Sequence, residues 1–291
     1  MENFKYQRLK NKSVYIGLSP SKHSLRLGEL RTFIYIYSYA RKNNLPVYLR
    51  IDDTNPDSKD ETCIESILRE FNEIGIILSR DELTYWQGDL LFQSKQNDTY
   101  KYFFKKLADL NVLSENNGLI SVDINKVVNI FEERFIEISK DLIRRKTKFN
   151  IRETGYHYIP IYIINEDRFL FHLPCVIDEY LLNTTTSIRG EDKMPLIPIH
   201  DILRFLLGFP IIEYLHLPLL LMPDSNKRLK GNDFSLENTI KSIDKDKLIN
   251  YLIKSGYNDH TKKQLTISDF IQMFDFKKIK KQSNHFNSHQ M

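Results

Sequence analysis

Residues 19–28 (SPSKHSLRLG) form a polar, basic segment between a short apolar run and an amphipathic one. The N-terminus of a helix binds phosphate through backbone N–H groups that have no partner within the helix, and the helix dipole favours the negative charge. Lys22, His23 and Arg26 would add basic side chains to such a site. The segment is therefore a candidate phosphate site, although its composition alone favours an ordinary solvated loop.

Two further segments place charged side chains directly after apolar runs: residues 52–55 (DDTN) and residues 189–192 (RGED). Carboxylates at the end of a strand can hold an ammonium group or a metal ion, and they are equally good turn formers. Arg189 can bind a carboxylate with two hydrogen bonds, or it can pair with the two acids that follow it.

A fourth segment, residues 223–231 (PDSNKRLKG), is a turn followed by three cations in four residues. A loop of this kind can move over a polyphosphate and neutralise charge that develops in a transition state. Most basic loops do no such thing, so each of the four signals is weak when it is taken alone.

The elements around these segments predict a parallel sheet. Apolar runs at Val14–Leu18 and Val47–Ile51 indicate two strands, and helical spacing follows each of them, at residues 27–41 and 64–71. Strand, helix, strand and helix in the first 75 residues indicate a right-handed βαβ unit. Ligands of open α/β sheets lie beyond the carboxyl ends of the strands, which is where the first two polar segments begin.

The middle of the chain predicts an insertion between early and late βα units. We expect helices at residues 100–110 and 127–142, strands at 159–164, 168–171, 187–189 and 217–222, and a helix at 199–207.

Composition excludes several classes of protein. Of the 291 residues, 41% are hydrophobic and 27% are charged, which is typical of a globular chain rather than a disordered or collagen-like one. Residues 277–291 contain four lysines and no acid, so they account for the whole formal charge of +4. The two cysteines give no disulfide framework, and the N-terminal segment lacks the apolar core of a signal peptide. We therefore expect a cytoplasmic protein with no membrane partner.

Five segments occur in an order that resembles a known family. SPSKHSLRLGELRT, LRIDDTN, FHLPCVID, SIRGED and HLPLLLMPDSNKRLK resemble the successive motifs of class I glutamyl-tRNA synthetases and of the short glutamyl-queuosine tRNA(Asp) synthetases. The similarity covers residues 13 to about 240. The segment after the last motif is too short for the anticodon-binding region of full-length members, which makes the chain similar in length to the short relatives.

The resemblance implies an α/β fold in which a Rossmann-type parallel sheet, the class I aminoacyl-tRNA synthetase catalytic core, is split by a mainly helical insertion. It predicts two halves of the catalytic domain at residues 1–95 and 156–240 and an acceptor-binding-like insertion at 96–155. We also expect a short helical C-terminal region at 241–276 and, from its polar and basic composition, a disordered basic tail at 277–291. Family members use ATP with Mg²⁺ to activate glutamate as an adenylate and then transfer it to a tRNA acceptor end.

The two nucleotide motifs of the family are altered in this chain. The HIGH-type motif reads Arg26-Leu27-Gly28-Glu29, and the KMSKS-type motif reads Lys227-Arg228-Leu229-Lys230, without its serine. The resemblance implies that ATP contacts Ser19, His23, Arg26, Gly28, Lys227 and Lys230. Of these, it assigns the catalytic charges to Arg26, Lys227 and Lys230.

The amino-acid pocket is altered further. Alignment with the family implies a pocket formed by Tyr15, Ser19, Asp52, Phe171, Cys175 and Arg189. Tyr15 stands where the family has an arginine, Phe171 where it has a tyrosine, and Cys175 where it has an asparagine. Asp52 aligns with the acid that binds the amino group, and Arg189 is a retained arginine. Lost charge-assisted contacts are worth roughly 1.5–3 kcal/mol each, so we expect glutamate or a less acidic amino acid.

The basic cluster Arg144, Arg145, Lys146 and Lys148 lies in the insertion and could contact a tRNA backbone. It fits equally well as a solvated helix end. The zinc-ligand cysteines of many relatives are missing after YKYFFKKLADL, so we expect no structural zinc and no other metal site.

The leading hypothesis is an ATP-dependent, synthetase-like ligase that acts as a monomer on an amino acid and tRNA. The alternative is a catalytically inactive paralogue that binds tRNA, an amino acid or a protein as a regulator. A third hypothesis is an enzyme that transfers its activated amino acid to a small molecule or a peptide.

Overall fold

The computed structural model describes residues 8–19, 24–55, 62–86, 88–131, 139–143, 151–231, 234–261 and 263–288. Its helices and strands, in chain order, are β1 (Val14–Leu18), α1 (Leu27–Lys42), β2 (Val47–Ile51), α2 (Thr62–Ile74), α3 (Arg80–Leu83), β3 (Leu91–Phe92), α4 (Asn97–Asp109), β4 (Leu113–Asn116), β5 (Leu119–Asp123), α5 (Ile124–Phe131), β6 (Tyr158–Ile163), β7 (Arg168–Phe169), α6 (His172–Leu181), β8 (Thr186–Gly190), α7 (Ile197–Leu207), β9 (Glu213–Leu217), β10 (Leu220–Leu221), α8 (Leu236–Thr239), α9 (Lys245–Gly256), α10 (Ile267–Met273) and β11 (Asn284–His285).

A parallel sheet with the spatial order β3-β2-β1-β8-β9 positions the predicted site residues. Strands β1, β2 and β3 pair in parallel, and so do β8 and β9. A parallel bridge between Ser13 and Thr184 joins the two parts. The α/β fold with a parallel sheet is confirmed, and the late strands β8 and β9 complete the sheet that the early βα units begin.

The insertion carries a four-stranded antiparallel sheet, β4-β5-β6-β7, beside α4 and α5. Our helical description of this region missed β4 and β5. They are joined by Asn117 and Gly118, whose φ angles of 50° and 78° suit the two-residue turn of a hairpin. Because β5 pairs with β6, the sheet also runs across the domain boundary that we predict between residues 155 and 156.

The helix predicted over residues 127–142 is wrong at its C-terminal end. Helix α5 ends at Phe131, and residues 139–143 lie along the edge of β9. Tyr214 donates its backbone N–H to Lys140, and Leu142 donates to Tyr214, each at 2.8 Å. The edge of β9 would otherwise present unpaired backbone groups, and this pairing outweighs the helical spacing of the apolar residues.

The disordered tail predicted for residues 277–291 is wrong for residues 277–288. Strand β11 pairs in parallel with β10, and the side chains of Ile279 and Phe286 are only 3% and 7% exposed. These two apolar residues bury themselves in the main core with α9 and α10, and this burial outweighs the polarity of the surrounding lysines.

Candidate functional site

A cleft of about 280 Å³ lies at the carboxyl ends of β1, β2 and β8. The structure brings together in its lining Tyr15, Ser19, Gly28, Asp52, Phe171, Cys175 and Arg189, all of which we predict as site residues. These residues come from segments up to 174 positions apart, counted from Tyr15 to Arg189. The parallel sheet is what makes them neighbours, since it places the ends of β1, β2 and β8 side by side.

Asp52 follows β2 and forms an ion pair with Arg50 of that strand. Arg50 Nε donates to Asp52 Oδ1 at 2.6 Å, and Nη2 donates to Oδ2 at 3.1 Å. The Arg50 side chain is 1% exposed, and its Nη1 lies 3.6 Å from Asp178 Oδ2. Burial raises the pKa of Asp178 to about 7, although the positive charge of Arg50 lowers it. The carboxylate of Asp52 therefore reaches the cleft already partnered by a cation.

The wall formed by Tyr15 and Cys175 carries no charge near neutral pH. Burial raises the pKa of the Cys175 thiol to about 12, and it raises the pKa of Tyr15 well above the usual value. The Tyr15 hydroxyl donates to Glu179 Oε1 at 2.9 Å, and the Arg50 guanidinium lies 4.4 Å from the centre of the Tyr15 ring. Both side chains are thus committed to hydrogen bonding and packing within the protein.

An ion-pair network of one cation and two carboxylates lies behind this wall. Glu179 pairs with Arg204, whose side chain is only 2% exposed. Arg204 Nη1 donates to Asp201 Oδ1 and to the Tyr214 hydroxyl, each at 2.9 Å. A buried cation whose carboxylates are this close has its charge offset, so Arg204 adds little positive charge to the cleft.

Arg189, at the end of β8, is the lining cation with the most unusual partners. Its Nε donates to His216 Nε2 at 3.0 Å, and its Nη1 lies 3.5 Å from His200 Nδ1. The guanidinium stacks on the Tyr214 ring at 4.3 Å from the ring centre. Its buried Nη2 has no hydrogen-bond partner in the part of the chain that the structure describes.

The other end of the cleft is formed by the start of α1 and the loop that follows β10. Gly28 is the second residue of α1, and of the described atoms a Cβ placed on it would meet only the backbone oxygen of Leu229, at 3.9 Å. Arg228 pairs with Leu221 across an antiparallel bridge, and its Nη1 donates to Asp192 Oδ2 at 3.1 Å. The loop that carries the three cations therefore borders the cleft.

Three predicted catalytic cations do not line the cleft. Arg26 is half-buried, and its Nη1 lies 3.8 Å from Glu29, while Lys227 and Lys230 are exposed. Arg228, between the two lysines, lines the cleft instead. Predicted residues that lie outside the described part of the chain are His23 and the cluster Arg144, Arg145, Lys146 and Lys148.

Two buried arginines at the cleft were missed from the sequence. Arg50 interrupts the apolar strand β2, and Arg31 interrupts the apolar face of α1. Arg31 is 3% exposed, donates to the backbone oxygen of Pro218, and also lines the cleft. A cation at a position that the periodicity assigns to the core is the signal that identifies such residues, because a buried charge requires specific partners.

Cys175, Glu179 and His200 bring three types of metal ligand within 4.8 Å of one another, and all three are buried. However, Glu179 is paired with Arg204, and Arg189 lies next to His200 Nδ1. Two guanidinium groups beside the cluster oppose the approach of a divalent cation. We therefore assign these side chains to the hydrogen-bond network of the cleft.

Comparison with known proteins gives consistent matches. The family model of the catalytic domain of class I tRNA synthetases (E and Q) matches residues 18–110. A glutamate–tRNA ligase of Prosthecochloris aestuarii is 26% identical over 311 residues, which cover 90% of this chain and 61% of that protein. Glutamate–tRNA ligase 2 of Campylobacter fetus is 28% identical, with coverages of 90% and 62%. The chain thus spans about three fifths of the length of these relatives.

Solved structures share the fold. The crystal structure of glutamate–tRNA synthetase from Elizabethkingia anophelis superposes with a TM-score of 0.79 at 20% identity, covering 97% of this chain and 69% of that one. A glutamate–tRNA ligase from Elizabethkingia meningosepticum, solved in complex with its amino acid, gives a TM-score of 0.77 at 19% identity, with coverages of 97% and 68%.

Among the described residues, no helix has the length and apolar character needed to cross a membrane.

The ordered motifs, the parallel sheet, the matched catalytic-domain model and the related ligases agree with one another. These matches support the placement of the chain among the glutamyl-tRNA synthetase-like proteins of class I.

Proposed function

We propose that this chain uses ATP to activate an amino acid as its adenylate and transfers it to the acceptor end of a tRNA. The observation that carries the proposal is a single cleft that joins the end of β1, the N-terminus of α1, Arg189 and the loop of Arg228. One end offers a helix N-terminus and basic side chains for phosphate, and the other offers a guanidinium for a carboxylate. All of these residues come from one copy of the chain, so a monomer in the cytoplasm suffices.

The chemistry requires positioning more than covalent help. The amino-acid carboxylate attacks the α-phosphate of ATP, a P–O bond to pyrophosphate breaks, and Mg²⁺ arrives with the nucleotide. Holding the two substrates in line supplies much of the barrier reduction, and cations beside the leaving pyrophosphate offset its growing charge. Arg228 lies at the cleft, and Lys227 and Lys230 flank it in sequence.

The charges around Tyr15 and Cys175 favour glutamate or a less acidic amino acid as the substrate. Arg50 is offset by Asp52, whereas Arg189 has no carboxylate partner in the described part of the chain. A substrate with one side-chain carboxylate and one α-carboxylate would thus find one uncompensated guanidinium at this end. An amide side chain needs less positive charge, so glutamine is the first less acidic candidate.

The test is amino-acid-dependent exchange of labelled pyrophosphate into ATP, measured with each of the twenty amino acids, with and without total tRNA. We expect exchange with glutamate or with one less acidic amino acid. Acylation of total tRNA with the active amino acid then tests the transfer step, and an acylated product that forms without tRNA would favour the small-molecule or peptide acceptor. Absence of exchange under every condition would refute the enzyme proposal.

Two ion pairs favour the alternative of an inactive, binding paralogue. Asp52 is engaged by Arg50, and Arg228 is engaged by Asp192, so two charged groups of the cleft are occupied within the protein. If exchange is absent, a gel-shift titration with total tRNA distinguishes a tRNA-binding regulator from a chain that binds only an amino acid.

A further inference from the structure

Arg189 is held by its neighbours in the sheet and in α7. Arg189 and His216 occupy paired positions of the parallel strands β8 and β9, which places Nε 3.0 Å from His216 Nε2. His200 of α7 approaches Nη1 at 3.5 Å, and the guanidinium carbon lies 4.3 Å from the centre of the Tyr214 ring. The side chain is therefore restrained by three neighbouring rings.

The hydrogen-bond roles fix where the protons lie on His216. Arginine only donates hydrogen bonds, so His216 Nε2 accepts from Arg189 and the ring proton lies on Nδ1. That nitrogen is 2.6 Å from Asp141 Oδ2, which accepts the proton. Asp141 belongs to the segment that pairs with the edge of β9. A chain of contacts from Asp141 through His216 thus orients Arg189.

His200 is also an acceptor toward Arg189. Its Nδ1 faces Arg189 Nη1, so its Nε2 carries the proton and donates to His172 Nδ1, at 3.3 Å. Burial lowers the pKa of His200 well below its usual value, and the charge of Arg189 adds to the effect. Both imidazoles that touch Arg189 therefore accept its hydrogen bonds without cancelling its charge.

The outcome is a half-buried cation that lines the cleft and keeps its charge. A carboxylate partner would offset the charge of Arg189, whereas imidazole acceptors orient the guanidinium and leave the charge in place. Among the described residues Nη2 is buried without a hydrogen-bond partner, and an unsatisfied buried donor costs free energy. We propose that His216 and His200 are positioning residues that hold the guanidinium of Arg189, which lines the cleft, for the carboxylate of the amino-acid substrate. The identity of that substrate rests on the proposed function.

The experiment compares two substitutions of His216 with a matched control. His216→Gln can place an amide oxygen near the position of Nε2 and so retain an acceptor for Arg189, whereas His216→Met fills similar space without one. His260→Met alters an exposed histidine and serves as the control. Binding of each of the twenty amino acids is measured by calorimetry, and exchange kinetics give KM and kcat for the amino acid and KM for ATP.

We expect His216→Met to raise the amino-acid Kd and KM about tenfold, the usual size of one lost charge-assisted hydrogen bond. KM for ATP should stay unchanged, and His216→Gln should recover most of the affinity. If His216 had only a structural role, its substitution would change kcat, both KM values and the melting temperature together. If His216→Met does not fold, His200→Met replaces it, with a smaller loss because its contact is longer.

The outcomes separate this inference from the proposed function. Amino-acid binding that is unchanged in a folded His216→Met variant overturns the inference and leaves the function intact. Binding that depends on His216 in a wild-type chain without exchange supports the inference and removes the function. A wild-type chain that binds none of the twenty amino acids overturns the inference, because Arg189 then has no carboxylate to receive.

Discussion

Gly28→Ala should make the protein more stable and a poorer binder of ATP. Gly28 lies in the first turn of α1 and has no positive φ angle. Within the part of the chain that the structure describes, the added methyl group would meet only the Leu229 backbone oxygen, at 3.9 Å, which is an ordinary contact. A glycine-to-alanine change at a compatible position stabilises a protein by about 0.4–1 kcal/mol, because the unfolded chain loses freedom.

The two effects can be measured separately. For a chain of 291 residues, the entropy of unfolding converts that gain into a rise in Tm of about 1–2 °C. If the adenine or the ribose packs on the backbone of Gly28, the methyl group occupies that space, and KM for ATP in pyrophosphate exchange should rise about tenfold or more, since 1.4 kcal/mol is tenfold. KM for the amino acid should stay the same.

Asn72→Ala is the matched control. Asn72 is an exposed residue of α2, and alanine there raises helix propensity by about 0.7 kcal/mol without touching the cleft. It should raise Tm to a similar degree and leave KM for ATP unchanged. A Gly28→Ala variant with unchanged KM for ATP would show that the nucleotide does not lie against α1. A fall in Tm would refute the packing argument instead.

Three further substitutions test other parts of the cleft. Gly17→Ala would place its Cβ 2.7 Å from Asp52 Oδ2, so the carboxylate must move. Calorimetry should then show weaker amino-acid binding, and unchanged binding would contradict a role for Asp52. Lys230→Ala should lower the exchange rate about tenfold, the size expected for one lost charge-assisted contact, with Lys241→Ala as an exposed control; full exchange activity would show that Lys230 does not face the phosphates. Phe286→Ala should cost about 3 kcal/mol of packing and speed amide hydrogen exchange in residues 283–287, and unaltered exchange there would show that this ring does not hold β11.

The parallel sheet could be predicted from the sequence because each strand is a short apolar run followed by a helical one. The hairpin of β4 and β5 could not be predicted from apolar periodicity, since the residues of β4 are half-buried or exposed. Its one local signal was the Asn117-Gly118 pair, whose left-handed backbone is typical of tight hairpin turns. The residue types at the turn therefore indicated the hairpin, whereas the spacing of apolar residues did not.

The site was predictable as a set of positions and less so as a set of contacts. The ordered motifs located seven lining residues, but sequence gives no means of deciding that Asp52 pairs with Arg50. It also could not tell which of three neighbouring cations faces the cleft. Leu229 is buried and the segment pairs with β10, so alternation places Arg228 and Lys230 on the side opposite to Leu229. Of these two cations, Arg228 lines the cleft.

The pairing of β11 with β10 couples movement of the C-terminal segment to movement of the loop of Arg228. Asn284 and Phe286 donate backbone hydrogen bonds to Leu219 and Leu221, just before the chain enters that loop. Any movement of the loop toward a bound nucleotide must stretch these bonds or carry β11 along. A fluorescent probe attached near residue 288 would then report on loop closure from outside the cleft. A bulky fusion at the same place would slow this closure.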